Sequence, residues 1–265
     1  MTRARIEGRS CLIGHTGFVG SNLLRQASFD ATYNSASIDS IAGESFDLLV
    51  CAGVRAEKWI ANRDPAGDRA GVEQLMKALR SVSAKRAILI STVDVFLTPL
   101  DVDESTPVET AGLHPYGVNR RWVEQEFARS FETLVARLPG LYGHGIKKNV
   151  IHDFLFDHEV EKIDSRGVFQ FYGLDRLWSD LTRCQEAKLP LVHFPTEPVS
   201  VAEVVRAAFD RDFTNHVVDK PARYDVRTKH AALLGGIGSY LEPKAAELEG
   251  IRRFVDRERT NGVAA

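Results

Sequence analysis

The sequence has few cysteines, and they are far apart. Cys11, Cys51 and Cys184 are the only three in 265 residues. This number and spacing predict neither a disulfide framework nor a metal site. Cys11 and Cys51 lie in apolar runs typical of buried strands, so we expect inert thiols.

Net charge and long apolar runs are also lacking. The 34 Lys and Arg nearly balance the 36 Asp and Glu, which gives no electrostatic reason to expect nucleic acid or an anionic membrane as a partner. The longest apolar runs, 48–53 and 87–90, fall far short of the roughly 18 residues that a membrane span needs. The first residues lack the apolar core of a signal peptide. We therefore expect a cytoplasmic protein.

Apolar strands and amphipathic helices alternate along the first half of the chain. The run 10–13 is followed by glycines and then by Phe18, Val19 and Leu23 at helical spacing. Such continuous apolar strands separated by helices predict a doubly wound parallel sheet with both faces covered. Further strands are predicted over 31–36, 46–53, 86–91 and 133–138, and helices over 38–42, 72–82 and 116–131.

The pattern changes after residue 143. Aromatic residues cluster there, a strand is predicted over 189–194, and Ser200 and Glu203 have the spacing of a helix capping box. We predict a main domain over 1–143 and a smaller mixed lobe over 144–265 that partly returns to the main sheet.

A glycine-rich turn joins the first strand to the first helix. A dinucleotide pyrophosphate binds at such a place, on backbone N–H groups and the helix dipole. The spacing is G-x-x-G-x-x-G, and glycines allow close backbone approach and helix packing. A glycine-rich turn without a ligand is the alternative. The residues predicted to bind the cofactor here are Gly14, Thr16, Gly17, Phe18, Val19 and Gly20.

This turn resembles that of the short-chain dehydrogenase/reductases, and other segments resemble their extended branch, the NAD-dependent epimerase/dehydratase family. Segment 46–54 is similar to the strand whose Ala-Gly end lines the cofactor cleft. Segment 90–96 is similar to the Ser-Ser/Thr strand end. Tyr116-Gly-Val-Asn-Arg120 resembles the Tyr-x-x-x-Lys helix, and 137–143 resembles the segment against the nicotinamide. Segments 197–203 and 224–229 resemble the C-terminal lobe. The resemblance implies a Rossmann domain followed by a small substrate lobe.

The resemblance also implies catalytic roles. Tyr116 would be the general acid/base, and Thr92, or Ser91, would orient the reacting oxygen. Arg120 stands where the family has lysine, one helical turn after Tyr116. A cation at about 4 Å lowers a phenol pKa of about 10 by at most about three units, so we expect Tyr116 to titrate near working pH. Arginine cannot release a proton, which excludes a relay through it.

The remaining site residues follow from the same resemblance. Residues 33–37 hold neither an acidic residue for NAD nor an arginine for NADP, so the cofactor choice stays open, with NAD favoured by the family. A solvated charged surface is the alternative for the basic substrate candidates. Further cofactor residues are Asn34, Ser35, Ala52, Gly53, Val54, Ser91, Tyr116, Arg120, Pro139 and Leu141. Substrate candidates are Lys58, Asp94, Lys147, Lys148, Asn149 and Arg176.

Two functions fit this sequence. The first is an NAD(P)-dependent epimerase, dehydratase or reductase that acts on a nucleotide-linked or related sugar and is expected to form a homodimer. The second is a non-catalytic dinucleotide-binding sensor or scaffold, suggested by Arg120 in place of lysine. Dinucleotide binding is common to both functions, whereas hydride transfer distinguishes them.

Overall fold

The computed structural model describes residues 3–262. Its strands are β1 (Ala4–Arg5), β2 (Ser10–Ile13), β3 (Ala27–Ser28), β4 (Ala31–Tyr33), β5 (Ser45–Cys51), β6 (Ser83–Thr92), β7 (Leu100–Val102), β8 (Thr133–Leu138), β9 (Gly140–Tyr142), β10 (Val168–Phe169), β11 (Phe171–Gly173), β12 (Leu191–His193), β13 (Val199–Ser200) and β14 (Asp225–Val226). Its α-helices are α1 (Phe18–Gln26), α2 (Lys58–Arg63), α3 (Pro65–Leu79), α4 (Pro115–Ser130), α5 (Val150–Leu155), α6 (Leu177–Glu186), α7 (Val201–Phe209) and α8 (Lys244–Thr260). Short 3-10 helices span Ile38–Ile41, Val93–Val95, Val160–Lys162, Leu174–Arg176 and Ala232–Leu234.

The central sheet has six strands in the order β12-β8-β6-β5-β2-β4. Strand β2 pairs in parallel with β4 and with β5, and β5 pairs in parallel with β6. All four residues of β2 are buried, because helices cover both faces of such a sheet. The predicted doubly wound, Rossmann-type fold class is confirmed.

The main core lies on the face of the sheet that α3 and α4 cover. Their apolar residues recur every three or four positions, as the sequence pattern predicted, and pack on buried side chains of β2, β5 and β6. The helical contributors are Val72, Leu75, Met76 and Leu79 from α3, and Val123 and Phe127 from α4.

Predicted and observed elements differ mainly at their ends. Strand β6 begins three residues before the predicted 86–91 segment, and the helix predicted over 38–42 is a 3-10 helix. The capping box is confirmed, with Ser200 and Glu203 each bonding the backbone of the other. The strand predicted over 189–194 is β12, at the edge of the central sheet.

The chain forms two compact units whose segments interleave. The first comprises the described residues up to Leu97, with Ser105–Arg137 and Asp175–Val192. The second comprises Thr98–Glu104, Leu138–Leu174 and the described residues from His193 onward. Helix α6 and the first two residues of β12 belong to the first unit. The division into 1–143 and 144–265 stays a prediction.

The second unit contains short strand pairs and a buried helix face. Strand β9 pairs in parallel with β11, β7 in parallel with β14, and β10 antiparallel with β13. Helix α8 packs against α7 and β11 and brings Ile251, Phe254 and Val255 into the core of this unit.

The three cysteines are free and buried, as predicted. Burial raises the pKa of Cys11 and of Cys51 to about 12, so both thiols stay protonated at neutral pH. Among residues 3–262, every helix is too short or too polar to cross a bilayer. Within the same residues, no group of three His, Cys, Asp or Glu side chains is arranged to hold a metal ion.

Candidate functional site

Two glycines of the first turn are required by close backbone contacts. Gly14 has φ +83°, and its N–H donates to the Tyr33 carbonyl at 2.7 Å. A Cβ on Gly14 would lie 2.4 Å from the Ala52 carbonyl oxygen, and one on Gly20 would lie 2.1 Å from the Gly14 oxygen. Larger residues at either position would therefore displace β5 or α1.

Gly17 has a different reason to be small. Its backbone is extended, with φ −77° and ψ 170°, and a Cβ there would meet only the Gly14 oxygen, at 3.3 Å. Gly17 is the N-cap of α1, which has no side-chain cap bond and no acidic residue in its first turn. The positive end of this helix dipole is thus not neutralised by its own side chains, and the position suits an anion.

The other predicted cofactor residues near the glycine turn lie at the start of α1 and in the loops that follow β2, β4 and β5. Thr16 is exposed, and Phe18 and Val19 are half-buried at the start of α1. After β4, the Asn34 Oδ1 accepts N–H bonds from Ala36 and Ser37 and closes a tight turn. Carboxyl ends of parallel strands share one edge of a sheet, so these loops border the same edge. Along that edge Ala52 and Val54 are half-buried, and Ser35 and Gly53 are exposed.

Tyr116 and Thr92 are brought together by the start of α4 and the end of β6. The Thr92 side chain lies close enough to the Tyr116 phenol to lower its pKa. The His114 Nδ1 caps α4 by accepting the Gly117 N–H at 3.0 Å, and the Tyr116 N–H donates to the Asn62 Oδ1 at 3.1 Å. A Cβ on Gly117 would lie 2.5 Å from the Asp94 carbonyl, so this glycine lets the helix approach the strand end.

The expected acidity of Tyr116 is wrong. Burial raises the pKa of Tyr116 to about 12, and the Arg120 charge, which lowers it, does not compensate. The Asp94 carboxylate raises this pKa further. The spacing along the helix shows the cation, but it shows neither the desolvation of the phenol nor the effect of the nearby carboxylate.

Arg120 is engaged by an acidic residue that the sequence analysis did not identify. Its Nη1 and Nη2 bind the two Asp68 carboxylate oxygens at 2.7 and 2.8 Å, and Nη2 also donates to the Arg55 carbonyl at 2.5 Å. The guanidinium carbon lies 4.2 Å from the centre of the Tyr116 ring. Arg120 and Asp68 are only 4% and 6% exposed. Among the described residues, the buried Nε of Arg120 has no hydrogen-bond partner.

Asp68 is ionised in this arrangement. Burial raises the pKa of its carboxyl, but hydrogen bonds from Arg120 and Asn119 outweigh burial, and the net pKa is lowered. The Asn119 amide donates to Asp68 at 2.7 Å. The Arg120–Asp68 pair is therefore neutral as a whole.

Ser91 belongs to a second buried ion pair. Its hydroxyl donates to the Glu124 Oε1 at 2.6 Å, and Arg137 binds both oxygens of Glu124, at 2.9 and 2.7 Å. Arg121 adds a bond to Oε2 at 2.9 Å. This network connects β6, α4 and β8 immediately beside Thr92.

Several predicted substrate residues have protein partners. In the first unit, Lys58 binds Asp94 at 2.7 Å, and the Nε of Arg176 binds Asp180 at 2.7 Å. In the second unit, the Asn149 Oδ1 accepts the Ile151 and His152 N–H groups and caps α5, and its amide donates to the Leu141 carbonyl at 2.8 Å. Pro139 and Leu141 of that unit are half-buried, and Lys147 and Lys148 are exposed.

Solved structures match this chain over nearly its whole length. The NAD-dependent NDP-hexosamine 5,6-dehydratase TunA, involved in tunicamycin biosynthesis, is 15% identical, with 96% of this chain and 98% of that chain covered and a TM-score of 0.72. UDP-glucose 4-epimerase from Thermotoga maritima, solved with UDP-glucose, is 18% identical, with 96% of this chain and 99% of that chain covered and a TM-score of 0.66. dTDP-4-dehydrorhamnose reductase from Bacillus anthracis, solved with NADP, is 16% identical, with 95% of this chain and 100% of that chain covered and a TM-score of 0.72.

The chain has the fold of these nucleotide-sugar enzymes. The fold that the resemblance to the extended short-chain dehydrogenase/reductases implied is thus confirmed. No protein-family model matches the sequence, and no curated protein matches it. The three structures are a dehydratase, an epimerase and a reductase, so the shared fold does not select one reaction.

The structure adds residues that the sequence analysis missed. Asp68 and Asn62 contact the Tyr116–Arg120 turn, Asn119 of that turn binds Asp68, and Glu124 holds Ser91 and Arg137. Asp68 lies 52 positions before Arg120, and no local pattern signals their contact. Glu124 lies one helical turn after Arg120, on the same face of α4, and this spacing was the one available signal.

Proposed function

We propose that the protein is an NAD(P)-dependent oxidoreductase that acts on a nucleotide-linked or related sugar. The observation that carries the proposal is the approach of the Thr92 side chain, at the end of β6, to the Tyr116 phenol on α4. It puts a proton-carrying phenol and an orienting hydroxyl in the unit that also contains the glycine turn. This juxtaposition suits proton transfer to or from an oxygen of a bound substrate.

The first unit has features that fit a dinucleotide. The space beside Gly17 and the uncapped start of α1 suit a pyrophosphate, and the loops after β4 and β5 border the same sheet edge. The dinucleotide would supply or accept the hydride. The choice between NAD and NADP stays open, with both forms named among the similar structures. The residues proposed to hold it are Gly14, Thr16, Gly17, Phe18, Val19, Gly20, Asn34, Ser35, Ala52, Gly53 and Val54.

The protonation of Tyr116 favours one direction of reaction. With a pKa of about 12, Tyr116 holds its proton at Oη at neutral pH and is suited to donating it to a carbonyl oxygen. Removing a proton from an alcohol would require the phenolate, which is scarce at that pH. Reduction of a keto group is therefore the reaction we favour, with Thr92 orienting the oxygen that receives the proton.

Lys58 and Asp94 are the proposed substrate contacts beside Tyr116. They form an ion pair at 2.7 Å, and Asp94 is close enough to Tyr116 to raise its pKa. Such a pair offers both donors and acceptors to sugar hydroxyls. Arg176 and Asn149 have structural partners and are weaker candidates. Roles for Lys147 and Lys148, a homodimer and a cytoplasmic location stay predictions.

A non-catalytic dinucleotide-binding protein is the second candidate. The observation that favours it is the Arg120–Asp68 pair, which removes the free cation that the resemblance assigns to this position. A protein that binds dinucleotide without turnover would fit this arrangement.

The test begins with dinucleotide binding. Gly17→Val should reduce NAD or NADP affinity at least tenfold in calorimetric titration, since the side chain enters the proposed pyrophosphate space while the extended backbone tolerates it. Gly71→Val is the matched control because a Cβ on Gly71 meets nothing within 4 Å. If the two variants bound the dinucleotide with equal affinity, the glycine turn would not be the pyrophosphate site.

The same titration is combined with turnover. Keto and hydroxy nucleotide sugars are supplied with each dinucleotide, and nicotinamide absorbance and product stereochemistry are followed. Tyr116→Phe should retain dinucleotide affinity and lose turnover by about 100-fold or more, since only the proton-carrying hydroxyl is removed. Parent protein that binds dinucleotide and converts no sugar of the panel would establish the second candidate.

A further inference from the structure

Asp68 holds Arg120 in one plane beneath the Tyr116 ring. Both carboxylate oxygens are used by the two terminal nitrogens of Arg120, and Asn119 adds a third donor to the same carboxylate. This two-point contact fixes the orientation of the guanidinium more tightly than a single hydrogen bond would. The Arg55 carbonyl binds Arg120 from the loop after β5.

Asp68 cancels part of the Arg120 charge close to the phenol. The guanidinium lies 4.2 Å from the ring centre, a distance at which an unpaired cation would strongly favour the phenolate. Asp68 is ionised and contacts the same guanidinium at 2.7 Å. Since the pair is buried, little solvent screens this cancellation.

We propose that Asp68 is a positioning residue that offsets the Arg120 charge, so that the guanidinium supports the Tyr116 ring and promotes its ionisation less than a free cation would. The inference deepens the proposed function and rests on it for the role of Tyr116 as proton carrier. It assigns to α3 the control of the protonation state of a residue on α4. Of all the carboxylates in the described chain, Asp68 is the one that contacts Arg120 directly.

Other charged groups around Tyr116 set the background of the experiment. Asp94 lies on the 3-10 helix after β6 and disfavours the phenolate, and Lys58 on α2 is paired with Asp94. The pKa of His114 is lowered by burial and by Lys58, and its Nδ1 serves as the acceptor of the α4 cap. These three groups are unchanged in the variants below, so a shift in Tyr116 ionisation reports the Arg120–Asp68 pair.

The experiment follows the ionisation of Tyr116 directly. The intact protein is labelled with tyrosine carrying 13C at Cζ, and the Tyr116 signal is identified by its loss in Tyr116→Phe. In the parent we expect no titration of this signal below about pH 10. In Asp68→Asn the midpoint should fall by about one to three pH units, because Arg120 is then an uncompensated cation.

Glu73→Gln is the matched control for Asp68→Asn. It removes one carboxylate from the same helix, where Glu73 pairs with Arg69 at the surface and does not contact Arg120. Its Tyr116 midpoint should equal that of the parent. An Asp68→Asn protein that is folded and titrates like Glu73→Gln would overturn the proposal.

A second variant covers the case in which Asp68→Asn does not fold, because it leaves a buried charge unpaired. Asp68→Leu/Arg120→Met replaces both members of the pair with apolar residues. Tyr116 should then titrate within about one unit of the parent, since a neutral pair has been replaced by neutral side chains. A larger shift of the Tyr116 titration midpoint, in either direction, would contradict the proposal. The titration needs neither dinucleotide nor sugar, so its result is independent of the Gly17→Val titration.

Discussion

Tyr116 shows why a nearby cation alone does not determine the acidity of a phenol. The Arg120 guanidinium is close to the ring, yet the pKa of Tyr116 is raised to about 12 by burial. A cation that is itself buried against a carboxylate contributes much less than a free one at the same distance. For this residue the surroundings of the cation therefore matter as much as its position.

Glu247 is a buried carboxyl that the proposed chemistry does not use. Its Oε1 accepts the Phe171 N–H at 2.7 Å, and its Oε2 has no hydrogen-bond partner among residues 3–262. Burial raises the pKa of Glu247 well above its ordinary value, and the carboxylates of Glu242 and Glu197 add to the effect. Ionising Glu247 therefore destabilises the folded protein.

Replacement of Glu247 by Gln should stabilise the protein increasingly as the pH rises. The unfolded carboxyl ionises near pH 4.3, so the folded parent loses stability from there upward until Glu247 itself ionises. We expect the free energy of unfolding of Glu247→Gln relative to the parent to grow by about 1 kcal/mol or more between pH 5 and pH 8, as measured by urea titration. The exposed Glu249→Gln, on the same helix, should show no such trend. A constant difference for Glu247→Gln would mean that Glu247 ionises normally.

The sequence predicted two residues that the structure brings together in the candidate site, but not the charged groups around them. Thr92 and Tyr116 stand in short motifs whose spacing is visible in the chain. Asp68 approaches Arg120 because α3 and α4 pack side by side, a tertiary contact that no local pattern encodes. The prediction of the Tyr116 acidity was wrong for the same reason. Desolvation of the phenol depends on tertiary packing, which the spacing of residues in the sequence does not show.

At the scale of elements, α7 has the most complete cap. The Ser200 hydroxyl accepts the Glu203 N–H at 3.2 Å, and the Glu203 carboxylate accepts the Ser200 N–H at 2.7 Å. Ser200→Ala should lower the free energy of unfolding by about 1 kcal/mol, and Ser200→Thr by less, as measured by urea titration. Equal stability of Ser200→Ala and parent would show that the cap adds nothing to α7.

The element pattern was predictable wherever apolar residues have a clear period. The strands from β2 to β8 in the main sheet and the helices α1, α3 and α4 follow that period. The short pairs β9–β11 and β7–β14 were not predicted, because strands of two or three residues are too short to show an alternation. Their pairing is determined by tertiary contacts in the second unit.

At the scale of the whole molecule, buried ion pairs should govern acid stability. Burial raises the pKa of Glu124, but Arg137, Ser91 and Arg121 outweigh burial and lower it. A carboxyl with a lowered folded pKa stabilises the protein above about pH 4.3 and loses this effect as the pH falls through the folded value. We therefore expect unfolding free energy to decline steadily below about pH 4.

Glu124→Gln tests this dependence. At pH 7 this substitution should lower the free energy of unfolding by about 3–5 kcal/mol, because the Arg137 charge remains buried without its carboxylate. As the pH falls, the free energy of unfolding of Glu124→Gln should decline less steeply than that of the parent. Glu126→Gln, which removes a surface partner of Arg129 on the same helix, should change stability by about 0.5 kcal/mol or less. Parallel pH profiles for Glu124→Gln and the parent, from urea titrations between pH 7 and pH 3, would rule out this role of Glu124.

The strand order has a consequence for synthesis on the ribosome. Strand β8 ends at Leu138, but its outer neighbour β12 begins only at Leu191, after much of the second unit has been translated. Until then the emerging sheet presents β8 as an open edge with unpaired backbone groups, the kind of surface that recruits other strands. Ribosome-stalled chains that stop before residue 191 should therefore bind chaperones more strongly than chains long enough to expose β12 outside the exit tunnel.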